Sequence, residues 1–508
     1  MPNRVPASAP PRSADLLARI ERIPVSRPHY RLAAMGGLGI AFDGMDGSLV
    51  SYLLPSVTPL WHLEGWQTGL LGSSLLIGVM IGALGAGLVA DRFGRRRLMM
   101  YALALYSTAT AVAAFAPSWE FFFVARIVAG IGVGAEAAVI PAYVAEFVPG
   151  RVRGVFVGSV SGFFSLGYLA AALLGVSLVS GVDHGWRIAQ LVTAAPVLML
   201  LWWRRTLPES PRWLIQQGRL AEAEHVISAL ETEAVRATGK PLPTAEEADP
   251  AASPAAPPAV PAKDSWFQGF VRLWRGGMAR RTAVVWLMWI SVTFSYYGFF
   301  TWIPSLLVAQ GMTMTKSFTF TLLMVLAQMP GYYSASFLGE RLDRTRTIAA
   351  YLAGAAVAAW LLSQAAGDGA VLTCGILLSF FMNGVYAVLY AYTSEIYPTA
   401  IRVTGSGTAS AFGRIGGIAA PIIIGVLHTG LGFGGVFTMI MFVLAAGAVT
   451  VLFLGVSTRG RTLEDLEQPQ APDRPGPEPA GRTEPEATRR DPAARTPDTT
   501  PHDKEPTP

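Results

Sequence analysis

Apolar residues along this chain come in long unbroken runs, not in the short alternating stretches of a soluble sheet protein. Runs near 31–55, 67–90, 97–116, 120–147, 154–180 and 187–203 are followed, after a polar stretch, by runs near 282–309, 317–339, 347–366, 369–396, 403–428 and 433–456. Each approaches or exceeds the ~20 residues that a helix needs to cross a bilayer. The pattern predicts an all-α membrane protein with twelve transmembrane helices in two six-helix bundles. Pro and Gly inside several runs are compatible with this, because neighbouring helices satisfy the backbone groups they free.

The polar segments divide the chain. Residues 1–30 form a basic N-terminal segment, 31–203 the first bundle, 204–281 a central loop, 282–456 the second bundle and 457–508 a tail. In the loop, Pro208-Glu209-Ser210-Pro211 opens a stretch to 236 where Leu214, Leu220, Ala223, Val226, Ile227 and Leu230 make a helical apolar stripe. Residues 237–263 and the Pro-rich tail have too little apolar side chain to build a core and read as disordered. The N-terminal segment lacks the early apolar core of a cleavable signal.

Composition agrees with the pattern. Hydrophobic residues make up 52% and charged residues 14%, against about a quarter charged in soluble domains. Mean hydropathy is +0.42. The net charge of +5 comes from arginines gathered on one side of the spans, from Arg19, Arg22, Arg27 and Arg31 through Arg204 and Arg205 to Arg280 and Arg281. The opposite loops hold little beyond Arg187 and Lys316. Basic loops stay on the cytoplasmic side, so both termini are expected in the cytoplasm of a plasma membrane, and the charge implies no nucleic-acid partner. Cys374 is the single cysteine, so no intrachain disulfide forms. No Walker motif, metal cluster or nucleophile triad is present; the chain reads as no enzyme, with no organic cofactor or metal.

Two loop motifs occur twice. Tyr143, Glu146, Pro149 and Arg153 recur as Tyr392, Glu395, Pro398 and Arg402, and Gly87-x-x-x-Asp91-Arg92 recurs as Gly339-x-x-x-Asp343-Arg344. Duplicated halves with matching loops are how transporters with parallel repeats are built, with the substrate site between the halves near the midplane.

Gly87-Leu-Val-Ala-Asp91-Arg92-Phe-Gly94-Arg95-Arg96 resembles the loop motif of the major facilitator superfamily, and Arg126-Ile-Val-Ala-Gly130-Ile-Gly132-Val-Gly134 its fourth-helix motif. Pro208 to Leu214 and the two Glu motifs are similar to those of sugar porters and organic-ion transporters. Phe42-Asp43-Gly44-Met45-Asp46, Ser295-Tyr296-Tyr297-Gly298 through Trp302 and Ala411-Phe412-Gly413-Arg414 resemble the first, seventh and eleventh helices of niacin transporters and aromatic-acid/proton symporters. Ala135, where those relatives carry glycine, and the insert at 237–263 depart from the pattern. The resemblance implies alternating access, with the first, fourth, seventh and tenth helices lining the cavity.

Charges inside the spans carry the candidate chemistry. Asp43, Asp46 and Arg414 fall near their helix centres, and Arg126 and Glu136 lie within the fourth span. An ionised group there costs roughly 2.5–3.5 kcal/mol unless it pairs or meets water. Asp43, Asp46 and Glu136 are candidates to carry a coupling proton; the alternative is that an Asp pairs with Arg126 to fix packing. Arg414 is a candidate bidentate anchor for a carboxylate, or a structural partner of a neighbouring helix. Arg126, Tyr296, Tyr297, Trp302, Asn383 and Tyr386 complete the candidate substrate set, flat rings that would stack on a planar ligand and polar tips that would orient it. Trp and Tyr also gather at membrane interfaces without touching a ligand.

Gly87, Asp91, Arg92, Arg95, Glu146, Arg153, Asp343, Arg344, Glu395 and Arg402 read as a cytoplasmic gate whose charge network differs between two conformations. Gly78, Gly82, Gly85, Gly87, Gly130, Gly132 and Gly134 read as close helix packing. The expectation is a monomeric secondary transporter carrying a small organic anion, nicotinate-like or another aromatic carboxylate, with a proton. Sugar or polyol symport, drug or metabolite efflux and a non-transporting nutrient sensor are the alternatives. Against a sugar porter, the seventh helix lacks a Gln-Gln pair and the fifth lacks a Gln.

Overall fold

A computed structural model describes residues 12–243, 266–275, 277–398 and 401–457. Among them the secondary structure is helical. A short α1 (Arg12–Arg22) precedes α2 (Arg27–Leu60), α3 (Gly65–Phe93), α4 (Arg95–Ala113), α5 (Trp119–Phe147) and α6 (Gly150–Leu174). The sixth run folds as α7 (Gly185–Thr193) and α8 (Met199–Thr206), and the central loop as α9 (Pro211–Gln216), α10 (Leu220–Thr238) and α11 (Trp266–Leu273). The second bundle holds α12 (Met278–Ala309), α13 (Met314–Leu326), α14 (Gln328–Arg341), α15 (Arg344–Ser363), α16 (Asp368–Ile396) and α17 (Arg402–Leu454).

Some runs break where the backbone demands it. A 3₁₀ turn, Ala195–Leu198, separates α7 from α8, since Pro196 has no N–H to continue an α-helix. Pro330 has no N–H to return to the Leu326 carbonyl, and the eighth run divides at Ala327 into α13 and α14. The eleventh and twelfth runs join as α17 but turn at Gly432, whose φ of 63° suits a residue without Cβ. The central-loop stripe is two helices, not one, because the chain reverses at Gly218.

Among the described residues, eight helical segments are long and apolar enough to be recognised as spans by themselves, the last of them covering the eleventh and twelfth runs together. The first, third and eighth runs are missing from that set. α2 carries two Asp, α4 opens on Arg95-Arg96-Arg97, and the eighth is broken.

The N-terminal segment departs from its reading as featureless polar chain. α1 is amphipathic, burying Leu16 and Ile20 in the same core as Ala223, Ile227, Leu230 and Ala234 of α10. The expected disorder of the insert falls mostly, and that of the tail almost wholly, outside the described residues.

Small residues set the helix contacts. A Cβ at Gly78 or Gly82 would strike the carbonyls of Ile127 or Ile131, and one at Gly130 or Gly134 would strike those of Leu75 or Val79, so α3 and α5 touch backbone to backbone. One core cluster fills each bundle. A third joins Leu53, Tyr52, Phe122 and Trp186 to Phe318 of the second bundle, away from the arginine-rich end.

The two bundles are shut together at that opposite end. Ser73 Oγ donates to the Ile418 carbonyl at 2.7 Å, and Thr315 Oγ1 to Ser180 Oγ at 3.2 Å. Gly65 and Gly69 of α3 lie against the Gly425 and Pro421 carbonyls of α17 so closely that no Cβ would fit. Toward the arginine-rich end, Gly85, Gly87, Gly154, Gly158 and Gly162 have nothing within 4 Å of where a Cβ would point. The space between the bundles therefore opens toward the arginines.

Candidate functional site

The charges inside the first bundle separate into two sets. Arg126 of α5 grips Asp46 of α2 bidentately, Nη1 at 2.8 Å from Oδ1 and 2.9 Å from Oδ2, and Nη2 donates to the Asp46 carbonyl at 2.9 Å. Thr193 and Thr110 hydroxyls donate to the same Oδ1 at 3.2 and 3.4 Å. Both side chains are wholly buried, so this is a neutral, well-bonded pair. Arg126, a candidate substrate ligand from sequence, is thereby occupied within the bundle.

Asp43, nearly one turn earlier on α2, is buried and neither oxygen has a hydrogen-bond partner among the described residues. The same holds for both oxygens of Glu136 on α5. Glu136 Oε1 rests 2.6 Å from where a Cβ of Gly39 would stand, and Gly39 is one turn before Asp43 on the same face. Glycine at 39 is what admits the carboxyl.

The second bundle supplies an aromatic wall. Tyr296 packs edge-on against Tyr297 and Tyr386 at 5.4 and 5.3 Å, and Trp289 packs edge-on against Tyr390 at 4.9 Å. Tyr296 donates to Gln328 Oε1 at 3.2 Å, and Asn383 Nδ2 to the Gln328 carbonyl at 2.9 Å. Tyr168 of α6 reaches across from the first bundle and packs against the core of the second. Arg414 of α17 is half-buried, acts electrostatically on Tyr297 and Tyr390, and forms no hydrogen bond or ion pair among the described residues. It sits on α17 because Gly413, Gly416 and Gly417 face α12, where any Cβ would meet Trp289, Ile290 or Tyr297. Trp302 stands apart from this wall. Its Nε1 donates to the Pro421 carbonyl at 3.0 Å in the closed end, and its ring lies 4.8 Å from that of His428.

At the arginine-rich end each duplicated motif builds an ion pair within its own bundle. Arg95 bridges Asp91 at 2.8 Å and Glu146 at 3.3 Å; Arg344 pairs with Glu395 at 2.6 Å. Asp343 is buried and accepts from Thr345 at 2.7 Å, and Arg402 Nε donates to the Tyr397 carbonyl at 3.3 Å. Arg92 is exposed over the Phe93 ring, and Gly87 faces open space. Arg153 pairs with Glu21 of α1 at 3.3 Å and donates to the Ala145 carbonyl at 3.1 Å. Glu21 also takes Arg212 at 2.6 Å and the Gly150 N–H at 2.6 Å.

Sequence reasoning passed over Tyr168, Gln328 and Glu21. Tyr168 and Gln328 carried a usable signal, a polar tip deep within an apolar run. Glu21 carried none, since a surface acid in a basic segment is unremarkable until α1 is docked.

A separate groove of about 440 Å³ between α15 and α17 is lined by alanines with Val357, Trp360, Met441, Val449 and Leu452. It has no polar group to orient a ligand and lies away from the charged sites.

Two bundles closed at one end, with a polar and aromatic site between them, define a secondary transporter that works by alternating access. The chain belongs to the sugar (and other) transporter family of the major facilitator superfamily, whose family model matches residues 47–469. It is 39% identical over 455 residues to the niacin transporter of Acinetobacter baylyi, covering 89% of this chain and 99% of that one. It is 34% identical to a putative niacin/nicotinamide transporter of Bacillus subtilis (85% and 98% covered) and 29% identical to the cis,cis-muconate transport protein of A. baylyi (82% and 92%). The inward-open xylose transporter of Escherichia coli superposes with a TM-score of 0.67 at 20% identity, covering 86% of this chain and 99% of that one. The fold is thus the twelve-helix major facilitator fold, and the protein is a membrane transporter.

Proposed function

We propose that this transporter moves a small aromatic carboxylate of the nicotinate class across the bacterial inner membrane together with a proton. The observation that carries the reading is Arg414. A guanidinium without a partner among the described residues, beside the Tyr297 and Tyr390 rings at the space between the bundles, has the chemistry to take a carboxylate while the rings stack on its plane. Relatives whose printed names specify niacin and cis,cis-muconate, both carboxylates, support the class. The buried carboxyls of the first bundle supply groups for a proton. The arginine-rich end faces the cytoplasm, which makes the present conformation inward-open.

Uptake of labelled nicotinate into cells expressing the chain, at acid pH with and without a protonophore, tests this. Uptake that the protonophore abolishes and unlabelled benzoates block is expected. Arg414→Gln should raise KM about ten- to hundredfold, the loss of one charge-assisted bidentate contact. An unchanged KM in that variant would remove the anchor.

A further inference from the structure

The outer face of the second bundle carries a groove that the transport site does not use. Between α15 and α17, Leu352, Ala355 and Ala359 turn inward with Leu444 and Val451 and are buried in the core. On the adjoining outward face, Ala349, Ala353 and Ala356 of α15 meet Ala445 and Ala448 of α17, so two rows of methyl groups stand where larger side chains would touch. The space they leave is about 440 Å³, rimmed by Val357, Trp360, Val449 and Leu452, each at least half exposed. In a bilayer such a space does not stay empty, because hydrocarbon bridging over it would lose its dispersion contacts.

We infer that this groove holds one acyl chain of an anionic phospholipid whose phosphate is met by Arg346. Arg346 lies in the first turn of α15 at the arginine-rich end, is exposed, and forms no hydrogen bond or ion pair among the described residues. Two-turn steps lead from it to Ala353 and on to Trp360, which puts all three on one helix face. The cation stands just beyond the groove's mouth and the indole at its far end. From Ala349 to Trp360 the helix rises about 16 Å, about half of the ~30 Å hydrocarbon thickness. That is the reach of an acyl chain from one leaflet.

A lipid suits the charge and the shape better than other occupants do. Asp343, next to the start of α15, is buried with its carboxylate accepting from Thr345, and Glu395 is taken by Arg344, so neither neutralises Arg346. The first turn of α15 adds the positive end of the helix dipole, which favours a phosphate beside the guanidinium. The lining offers no donor or acceptor, which fits a hydrocarbon chain and excludes a polar solute. A second copy of the chain would suit the small residues. A two-fold axis along the membrane normal would, however, set the two Arg346 side chains at the same level, where like charges repel.

A chain in the groove lies against both helices at once. α17 also carries Arg414 and the glycine that closes against α3, so a lipid held here braces the helix that bears them. Because the groove is on the outer face of the bundle, its occupancy is independent of which substrate the central site takes.

The test is native mass spectrometry of the full-length transporter in detergent, with phosphatidylglycerol, phosphatidylcholine of the same chains and inorganic phosphate as probes. One phosphatidylglycerol per protein should be retained in preference to phosphatidylcholine. Arg346→Gln should lower that retention about fivefold, to the phosphatidylcholine level, as expected for one arginine at an anionic headgroup. Arg205→Gln, which changes an exposed arginine of α8 at the same end, should leave it unchanged. Ala353→Leu fills the groove and should release both lipids. Phosphatidylglycerol should also raise the melting temperature of the wild type and of Arg205→Gln more than that of Arg346→Gln. Equal retention of the two lipids, or retention that Arg346→Gln leaves intact, overturns the proposal whether or not Ala353→Leu folds. Binding of inorganic phosphate without lipid would make Arg346 a free-anion site, and a dimer that Ala353→Leu splits would give the groove to a second copy; either result also overturns it.

Discussion

Asp43 and Asp46 lie three residues apart on one helix, and their surroundings differ completely. Asp46 accepts from a guanidinium and two hydroxyls, whereas Asp43 has no partner among the described residues. Removing one member of a buried ion pair strands the other, at about 3–5 kcal/mol. Asp46→Asn should therefore lower the melting temperature in detergent sharply, and adding Arg126→Gln should recover part of the loss, because the two changes share one interaction. Equal additive losses in a thermal melt would show that the pair is not coupled. The sequence showed that these charges had to be functional or paired, since each lay inside an apolar run. Which Asp took Arg126 was not legible: both are within helical reach of α5, and only the rotation of α2 decides between them.

The spanning helices were readable from their apolar length; α1, a short amphipathic helix, was not, and neither were its contacts. Arg12 and Arg19 reach Glu224 and Glu231 of α10, both at 2.5 Å. Arg12 holds the Glu224 carboxyl below its usual value of 4.5, and Glu231 raises Arg19. A carboxyl depressed in the docked state stabilises docking above its usual pKa, and that contribution is lost as pH falls through the lowered value. Docking of α1 should thus be complete at neutral pH, weaken below about pH 4.5, and weaken with salt because the Arg12–Glu224 pair is exposed. Spin labels on α1 and α10 would report it as a lengthening distance; a distance insensitive to acid and salt would assign the docking to Leu16 and Ile20 alone. The α3–α17 seal makes a second prediction at this scale. A Cβ at Gly425 meets the Gly65 carbonyl, so Gly425→Val should stop that end closing and abolish transport while ligand binding from that side survives. Transport at the wild-type rate in that variant would mean the seal opens more easily than its packing implies.

Across the whole molecule, the duplicated motifs build matching pairs, Arg95–Glu146 in one bundle and Arg344–Glu395 in the other. With the bundles parted at this end, each pair closes on its own bundle. The gate reading requires that the same charges meet different partners when that end shuts, since a difference between two states is what shifts their populations. Arg153→Ala and Asp91→Asn should each cut turnover while equilibrium binding of ligand remains. Normal uptake in both would place the gate elsewhere. Glu21 adds a hold on Arg153 from α1.

The amino-acid sequence alone determined the membrane setting, the two bundles, the number of spanning runs and the loop motifs. Each follows from local quantities: apolar run length against bilayer thickness, the placement of arginines, and repeated spacing. Only the tertiary structure decided which charges pair, which stay single, where α1 docks and which end is closed. Those depend on helix rotation and on approach distances set by single glycines such as Gly39, Gly65 and Gly425, where the absence of one carbon lets a carboxyl or a backbone come close. Spacing along one helix does not encode what a neighbouring helix presents to it.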